Sequence, residues 1–453
     1  MTRSQILRSN NNDVKSLSDK INSVPWVFIE ILASLPAMLF IIGEGIQLFN
    51  LIFRYEPYHD EGFYDITDTV NSFSLRIGII TYMLYILKLF AENKHPKLRI
   101  SPTFAFFAVL VLFMLISTVV NGYTEYARYG EPYRYESLTT FIMYPMIFFL
   151  CSTLITNKRI KNVVCFSFLF LSFVIGIISL INYYMLIYGY EPILYSASDE
   201  KMLGLFSNSN HYGYYLTICI MLSSSLFVLE KNKAVKIFCL TNFILNTYVL
   251  IINNTFGCYL ACAFGLIFNL AVLFIINRKI NILAAAAFLI YIVLTIISSF
   301  FFDTVMTNFI VLFSDIFKLG SNAEDKGGAG TGRWKLWVFT VKRIIEKPVF
   351  GWGTDGIADM MYDKYAITRT HNEFLQYTVF FGIPGGISYI AAAVSVFIRA
   401  QKNKKKLGNL EIASLTAAFA YLASSFFGNT MYYTAPLFFI FLGLGYGRSH
   451  DSQ

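Results

Sequence analysis

The chain alternates between long apolar runs and short polar segments along most of its length. Read with a window of about 19 residues, many of the runs have the ~20-residue length that spans a bilayer as an α-helix. The pattern predicts an all-α polytopic membrane protein with about twelve transmembrane helices. The predicted spans lie near residues 26–53, 73–90, 102–120, 138–155, 162–188, 211–229, 234–252, 256–276, 280–302, 372–398, 409–427 and 432–447.

Basic residues are concentrated in every second connecting segment, and the segments between them are acidic or neutral. By the positive-inside rule, the basic segments are cytoplasmic. Both termini are then expected in the cytoplasm, which requires an even number of spans and agrees with twelve. The basic segments lie near residues 88–99, 156–161, 230–236, 278–279 and 399–406.

The longest polar interruption falls on the side opposite the basic segments. It follows the ninth predicted span and contains an apolar pattern of helical period, which predicts an amphipathic helix at the membrane interface. That pattern consists of Trp334, Trp337, Val341, Ile344 and Ile345. The expected organisation is a cytoplasmic segment 1–25, nine spans over 26–302, an extracytoplasmic loop 303–371, three spans over 372–447 and a cytoplasmic tail 448–453.

Composition excludes several classes of protein. Hydrophobic residues make up 56% of the chain and charged residues only 14%, whereas soluble proteins carry about 25% charged residues. The net charge of +8 is distributed by topology and does not form one soluble basic surface, so nucleic acid is not an expected partner. All six cysteines lie in apolar runs, which argues against a disulfide framework.

Three short elements occur in order through the long loop and into the next span. They read TGRWKLW (331–337), EKPVFGWGTDG (346–356) and RTHNEFLQYTVFFGIPGG (369–386). They resemble the O-antigen ligase and polymerase family of bacterial membrane glycan transferases. The matching positions are Gly332-Arg333, then Pro348, Gly351 and Gly353, and finally His371-Asn372 followed by Gly382 and Gly385.

An upstream element, KMLGLFSNSNHYGYYL (201–216), resembles another motif of the same family, so the resemblance covers roughly residues 200–450. Two departures stand out. Lys201 occupies a position where the family often has Arg, and NNTFGC (253–258) replaces a Ser-Arg-Gly turn found in many members. A bidentate arginine contact would become a point-charge contact or disappear, so the way the donor phosphates are held is open.

The resemblance implies a C-type glycosyltransferase-like fold and transfer of a glycan from an undecaprenyl-pyrophosphate carrier to an acceptor hydroxyl. His371 suits a general base because the ordinary pKa of an imidazole lies near physiological pH. Arg333 suits stabilisation of the pyrophosphate leaving group. No cluster of Asp with the spacing of a Mg²⁺ site occurs in the outer loops, so we expect a metal-independent, inverting transfer without a cofactor.

Further residues near these motifs are expected to contact the substrate. They are Asn372, Arg369, Lys201, Asn208, Asn210, His211, Gly351 and Gly353. Each has a structural alternative: Asn372 and the 208–211 turn suit helix caps, Arg333 suits a snorkelling cation, and the 351–356 glycines suit a tight turn. Glu44, Arg128 and Arg134 are weaker candidates on the same side of the membrane.

Three activities remain open. A polymerase extends another lipid-linked repeat unit, a ligase transfers the chain to a terminal acceptor, and a flippase would move the lipid-linked glycan. The missing Ser-Arg-Gly turn and the abundance of Ile, Asn, Lys, Phe and Tyr favour a polymerase. The expected location is the inner (cytoplasmic) cell membrane, with the bilayer, the lipid-linked glycan, a flippase and a chain-length regulator as partners.

Overall fold

A computed structural model describes residues 19–54, 60–92, 101–132, 136–193, 208–301 and 332–446, and all regular structure in these ranges is helical. The predicted all-α class is therefore confirmed. The helices are α1 (Trp26–Arg54), α2 (Asp60–Ala91), α3 (Pro102–Asn121), α4 (Glu125–Tyr129), α5 (Leu138–Phe149, continued by a π-turn to Leu154), α6 (Lys158–Ile187), α7 (Ser209–Leu229), α8 (Lys233–Asn253), α9 (Phe256–Asn277), α10 (Ile282–Phe301), α11 (Arg333–Glu346), α12 (Ala358–Tyr365), α13 (Glu373–Lys402), α14 (Asn409–Ser425) and α15 (Ala435–Gly445).

Among the described residues, eight helices are long and apolar enough to cross a membrane: α1, α2, α3, α6, α7, α8, α9 and α13. Shorter apolar helices occur at 138–154, 282–298 and 435–445. The remaining predicted span, 409–427, corresponds to α14, which has 17 residues. The multi-pass membrane architecture is confirmed, while the count of twelve spans stays a prediction.

The central helix of the bundle is α7, which packs against α8, α9 and α14. Small residues allow this close packing, as in other membrane bundles. A Cβ on Gly265 of α9 would overlap Met221 of α7 and Ala420 of α14. Nearly all of α7 is buried, so this helix contacts protein on every side and fixes the helices around it.

The helix α13 is broken at Gly382, whose φ of 77° and ψ of 171° are not helical. Tyr377 stacks on Tyr389 with ring centroids 4.0 Å apart, and Tyr389 Oη donates to Glu373 at 2.5 Å. Sixteen residues of straight helix would separate Glu373 and Tyr389 by about 24 Å. The segment before Gly382 therefore folds back beside the segment after it. The span predicted over 372–398 therefore contains a backbone break, which hydropathy does not register.

A segment of the long loop forms hydrogen bonds with the backbone groups at this break. Ile383 N donates to Pro348 O at 2.7 Å, Trp352 N to Val379 O at 2.9 Å and Gly353 N to Phe380 O at 3.0 Å. Ser117 Oγ of α3 also donates to Phe380 O at 2.8 Å. A broken helix inside a membrane bundle needs such partners for its freed backbone groups.

The last helix, α15, has only 11 residues and is about 16 Å long. Its far end lies beside the basic end of α13, where Arg399 Nε donates to Tyr446 O at 3.4 Å. Measured from there, α15 crosses about half of a ~30 Å hydrocarbon core. Residues 426–434 connect α14 to α15. We call the end of the bundle that carries residues 332–372 the loop end.

The helix predicted in the loop is observed as α11. Its buried residues are Leu336, Phe339, Thr340 and Ile344, whereas Trp334, Val341 and Ile345 of the predicted apolar stripe are exposed. The helix therefore has one protein-facing side and keeps several apolar side chains exposed at the loop end. Their placement at the membrane interface stays a prediction.

Candidate active site

Several segments meet at the loop end of the bundle. The carbonyl of Ser209, at the start of α7, accepts hydrogen bonds from Asn253 Nδ2 at 2.7 Å and Thr255 Oγ1 at 2.9 Å. Tyr214 Oη donates to Phe427 O at 3.3 Å. The starts of α7 and α9 and the 426–434 segment therefore form one wall around the start of α13.

His371 immediately precedes the cap of α13 and is half-buried. Its φ of 50° is left-handed, a conformation that costs a non-glycine residue ~1–3 kcal/mol. Its N–H donates to Asn429 Oδ1 at 2.7 Å, and its carbonyl accepts from Trp337 Nε1 at 3.4 Å. The backbone of His371 is thus held from two sides in an unfavourable conformation, a feature that clusters at functional sites.

Asn372 is the N-cap of α13. Its Oδ1 accepts from Leu375 N at 2.9 Å and its Nδ2 donates to Phe426 O at 3.1 Å. The capping alternative is therefore observed, and substrate contact by Asn372 stays a prediction.

Glu373, the first residue of α13, is completely buried. Its carboxylate accepts hydrogen bonds from Tyr389 at 2.5 Å and from Tyr421 at 3.1 Å. The sequence analysis did not single out Glu373. A carboxylate at the edge of a membrane span was the signal that could have singled it out.

Arg369 lies at the centre of a buried ion cluster. Its Nε and one terminal nitrogen donate to the two oxygens of Asp355 at 2.9 and 2.7 Å, and the other terminal nitrogen donates to Glu136 and, at 2.9 Å, to Thr430 O. Tyr144 donates to the second oxygen of Glu136. The Arg369, Asp355 and Glu136 side chains have no exposed surface. The cation expected to contact phosphate is therefore engaged by carboxylates of the protein.

The charges in this cluster are coupled. Burial alone would lower the pKa of Arg369. The neighbouring charges of Asp355 and Glu136 outweigh burial and raise that pKa above its usual range. Burial raises the pKa of the Glu136 carboxyl, with Arg369 opposing the rise. Sequence reasoning missed Asp355 and Glu136, because no spacing rule connects residues from such distant parts of the chain.

Arg333 is the first residue of α11 and follows Gly332, whose φ is 85°. It lies near Cys258, in the first turn of α9. One turn later on the same helix face, Trp337 contacts the His371 carbonyl. The structure therefore brings Arg333 and His371, the two expected catalytic residues, to the same region of the loop end.

The upstream element caps α7. Asn208 Oδ1 accepts from Asn210 N at 2.8 Å, so the predicted capping turn is observed. His211 is buried, and its ring lies 6.2 Å from that of Tyr433. Asn208, Asn210 and His211 thus adjoin the 426–434 segment that holds His371, while Lys201 lies outside the described residues.

Gly351 and Gly353 lie against the break in α13. Gly351 has a φ of 67°, and a Cβ there would lie 2.5 Å from Phe380 O. The close backbone approach accounts for a glycine at this position, and direct ligand contact by the two glycines stays a prediction.

Of the three weaker candidates, only Arg128 has a described side chain. Arg128 lies over the ring of Tyr129 at 5.0 Å, on the short helix α4. Arg134 and the side chain of Glu44 lie outside the described residues.

Within the described part of the chain, no group of three or more His, Cys, Asp or Glu side chains is arranged to hold a metal ion. All six cysteines are buried, and none forms a disulfide.

Comparison with known protein families bears directly on this site. Residues 241–390 match the model of the O-antigen ligase family. The resemblance read from the motifs is confirmed for this region, and the match supports a membrane glycan-transfer role of ligase or polymerase type. A search of curated proteins finds no match to the chain.

The residues that match the family model include Arg333, Asp355, Arg369 and His371. Other parts of the site come from outside the matched residues, namely Glu136, the start of α7 and the 426–434 segment. The complete site therefore depends on the whole bundle.

Proposed function

We propose that the chain transfers a glycan from an undecaprenyl-pyrophosphate-linked donor to an acceptor hydroxyl, acting as a polymerase of polysaccharide repeat units. The observation that carries this proposal is the left-handed, doubly anchored His371, which contacts the helix of Arg333 through Trp337 and lies within the residues that match the O-antigen ligase family. A multi-pass bundle supports a lipid-linked substrate, because such a donor reaches the site within the bilayer.

In this proposal His371 accepts the proton of the acceptor hydroxyl. The acceptor oxygen then forms a bond to the anomeric carbon of the donor glycan. The bond from that carbon to the pyrophosphate oxygen breaks, and the leaving group takes the electron pair. Direct displacement inverts the anomeric carbon.

The leaving pyrophosphate develops negative charge that the protein must stabilise. Arg333 is the proposed contact, with Lys201 as a second cation. These fixed positive charges supply the stabilisation in a metal-independent and cofactor-free reaction. Asn210 and His211 at the start of α7 are proposed to contact the donor, as are Asn208 and Asn372 in addition to their capping roles. Gly351 and Gly353 shape the site through their contact with α13.

We further propose that the loop end faces the extracytoplasmic side of the cell membrane and that both termini are cytoplasmic. The basic residues beside Arg399, at the opposite end of α13, support this orientation. A flippase would supply the donor from the cytoplasmic side, and a chain-length regulator would act on the growing polymer.

The second candidate is a ligase that transfers the finished glycan to a terminal acceptor, which the name of the matched family favours. The two activities share the donor chemistry and differ in the acceptor. A flippase would use charged residues at mid-span in several helices, whereas the buried Glu136, Asp355 and Arg369 gather at the loop end.

The test uses the full chain in lipid nanodiscs with undecaprenyl-pyrophosphate-linked repeat units extracted from cells that carry the protein. We expect a ladder of lengthened products, with and without EDTA, and loss of the ladder in His371→Ala and Arg333→Ala proteins. Glu411→Gln is the matched control, since it breaks the Lys161–Glu411 ion pair (2.5 Å) near the opposite end of the bundle. Long products from folded His371→Ala protein would refute the mechanism, and transfer only to a non-carrier acceptor would indicate a ligase.

A further inference from the structure

The buried ion cluster joins three segments that are far apart in the chain. Glu136 precedes α5, Asp355 belongs to the glycine-rich turn before α12, and Arg369 precedes α13. All three side chains are inaccessible to solvent. A single guanidinium thus holds together two loop segments and the chain entering α13.

This cluster is linked to His371 through the 426–434 segment. Arg369 donates to the carbonyl of Thr430 at 2.9 Å, and the preceding residue, Asn429, accepts from the N–H of His371 at 2.7 Å. Gln376 Oε1 accepts from Thr430 N at 3.1 Å. Arg369 and His371 are therefore attached to neighbouring residues of the same segment.

Thr370, which lies between Arg369 and His371, is also constrained. Thr370 Oγ1 donates to the carbonyl of Asn372 at 2.8 Å, closing a tight turn around His371. Its left-handed backbone is unfavourable for histidine and needs surrounding contacts to persist. The attachments at Arg369, Thr370 and Asn429 supply those contacts on both sides of the residue.

We propose that Glu136 and Asp355 are positioning residues, which fix Arg369 and so hold His371 in the geometry of the general base. This inference rests on the proposed function of His371 and adds two residues to it. It also gives Arg369 a role in positioning, in place of direct contact with the pyrophosphate.

Charge supports this assignment. Breaking the pairing of Arg369 would leave two carboxyl groups buried without their cation, which is strongly destabilising. An incoming pyrophosphate would also meet the negative charge of Asp355 and Glu136. Arg333, which belongs to a different helix, is the better placed cation for the leaving group.

The test compares Asp355→Asn and Glu136→Gln with the unmodified protein. Both substitutions keep the size of the side chain and remove its charge, and Asn tolerates the φ of 51° at position 355. Rates are measured in nanodiscs with the extracted lipid-linked repeat units. We expect kcat to fall about 10²-fold, since a misplacement of about 1 Å can cost that much, and the KM of the donor to change less than about twofold.

Glu411→Gln is the control for loss of a partly buried ion pair, and it should leave kcat unchanged. Thermal unfolding of each protein establishes that the variants are folded. If one variant fails to fold, the other decides. Unchanged kcat in a folded Asp355→Asn or Glu136→Gln protein, or a raised donor KM with unchanged kcat, would overturn the positioning role.

A double-mutant cycle separates positioning from a general structural effect. With radiolabelled donor and long incubations, Asp355→Asn should not slow the residual reaction of His371→Ala further, because there is no base left to position. An equal additional loss in that background would show that Asp355 acts independently of His371. Full activity of His371→Ala would instead refute the proposed function itself.

Discussion

The substitution Gly382→Ala tests whether the break in α13 depends on the docked loop segment 347–353. Gly382 has φ 77° and ψ 171°, a conformation that costs other residues ~1–3 kcal/mol. In addition, an alanine Cβ would overlap the carbonyl of Val349. The clash forces the loop segment away from α13 and breaks three backbone hydrogen bonds, to Pro348 O, Val379 O and Phe380 O.

Each of these bonds contributes ~1 kcal/mol net. We therefore expect Gly382→Ala to lower the free energy of unfolding by about 4–6 kcal/mol in total. Gly122→Ala is a matched control, because Gly122 has a similar backbone (φ 81°, ψ 155°) but no neighbouring atom within 4 Å of the added Cβ. It should cost only the conformational ~1–3 kcal/mol.

The measurement is equilibrium unfolding of both variants in mixed SDS and mild detergent, followed by tryptophan fluorescence. A difference of about 3 kcal/mol between them would report the loop contact alone. Equal stabilities would refute the reasoning, because they would mean that docking of the loop contributes nothing to the bend. Activity should also fall in Gly382→Ala, since the segment carrying His371 depends on the same bend.

Two further predictions concern the surroundings of His371. Asn429→Ala removes the acceptor of the His371 N–H and should lower kcat about tenfold, corresponding to ~1.4 kcal/mol. Asn429→Asp keeps an acceptor oxygen and should retain most of the rate. Equal rates for Asn429→Ala and the unmodified protein would contradict the anchoring role. Burial raises the pKa of Glu136 in the folded protein. The contribution of this raised pKa to the free energy of unfolding is fully present below the pKa of Glu in the unfolded chain, about 4.3. It is lost as pH rises through the pKa of Glu136 in the folded protein. Thermal midpoints measured between about pH 4 and pH 8 should fall less steeply in Glu136→Gln, and parallel curves for the two proteins would contradict the assigned direction.

The sequence located the candidate site where local motifs carry the signal. The Gly332-Arg333 and His371-Asn372 elements lie within the residues that match the O-antigen ligase family model, and the structure brings both to the loop end. The helix at 333–346 was predicted from its period. The caps at Asn208 and Asn372 were foreseen as alternatives, because N-capping depends only on local residue type.

The buried partners of Arg369 could not be predicted from neighbouring residues. An arginine two residues before the histidine proposed as general base suggests a phosphate contact. Nothing nearby in the sequence indicates that Asp355 and Glu136 bind this arginine. Their pairing depends on where the turn before α12 and the segment before α5 meet in space. The sequence likewise does not show that Tyr389 and Tyr421 donate hydrogen bonds to the carboxylate of Glu373.

The sequence by itself determined the membrane environment, the all-helical class and the chemistry available at the motifs, because these follow from hydropathy and residue type. The tertiary structure decided that α13 folds back at Gly382 and that the glycine-rich loop segment forms hydrogen bonds with the backbone at this break. It also decided that Arg369 pairs with two buried carboxylates inside the bundle. These features arise from contacts between distant segments. Buried backbone groups and charges must find partners, and only the folded bundle determines which ones they find.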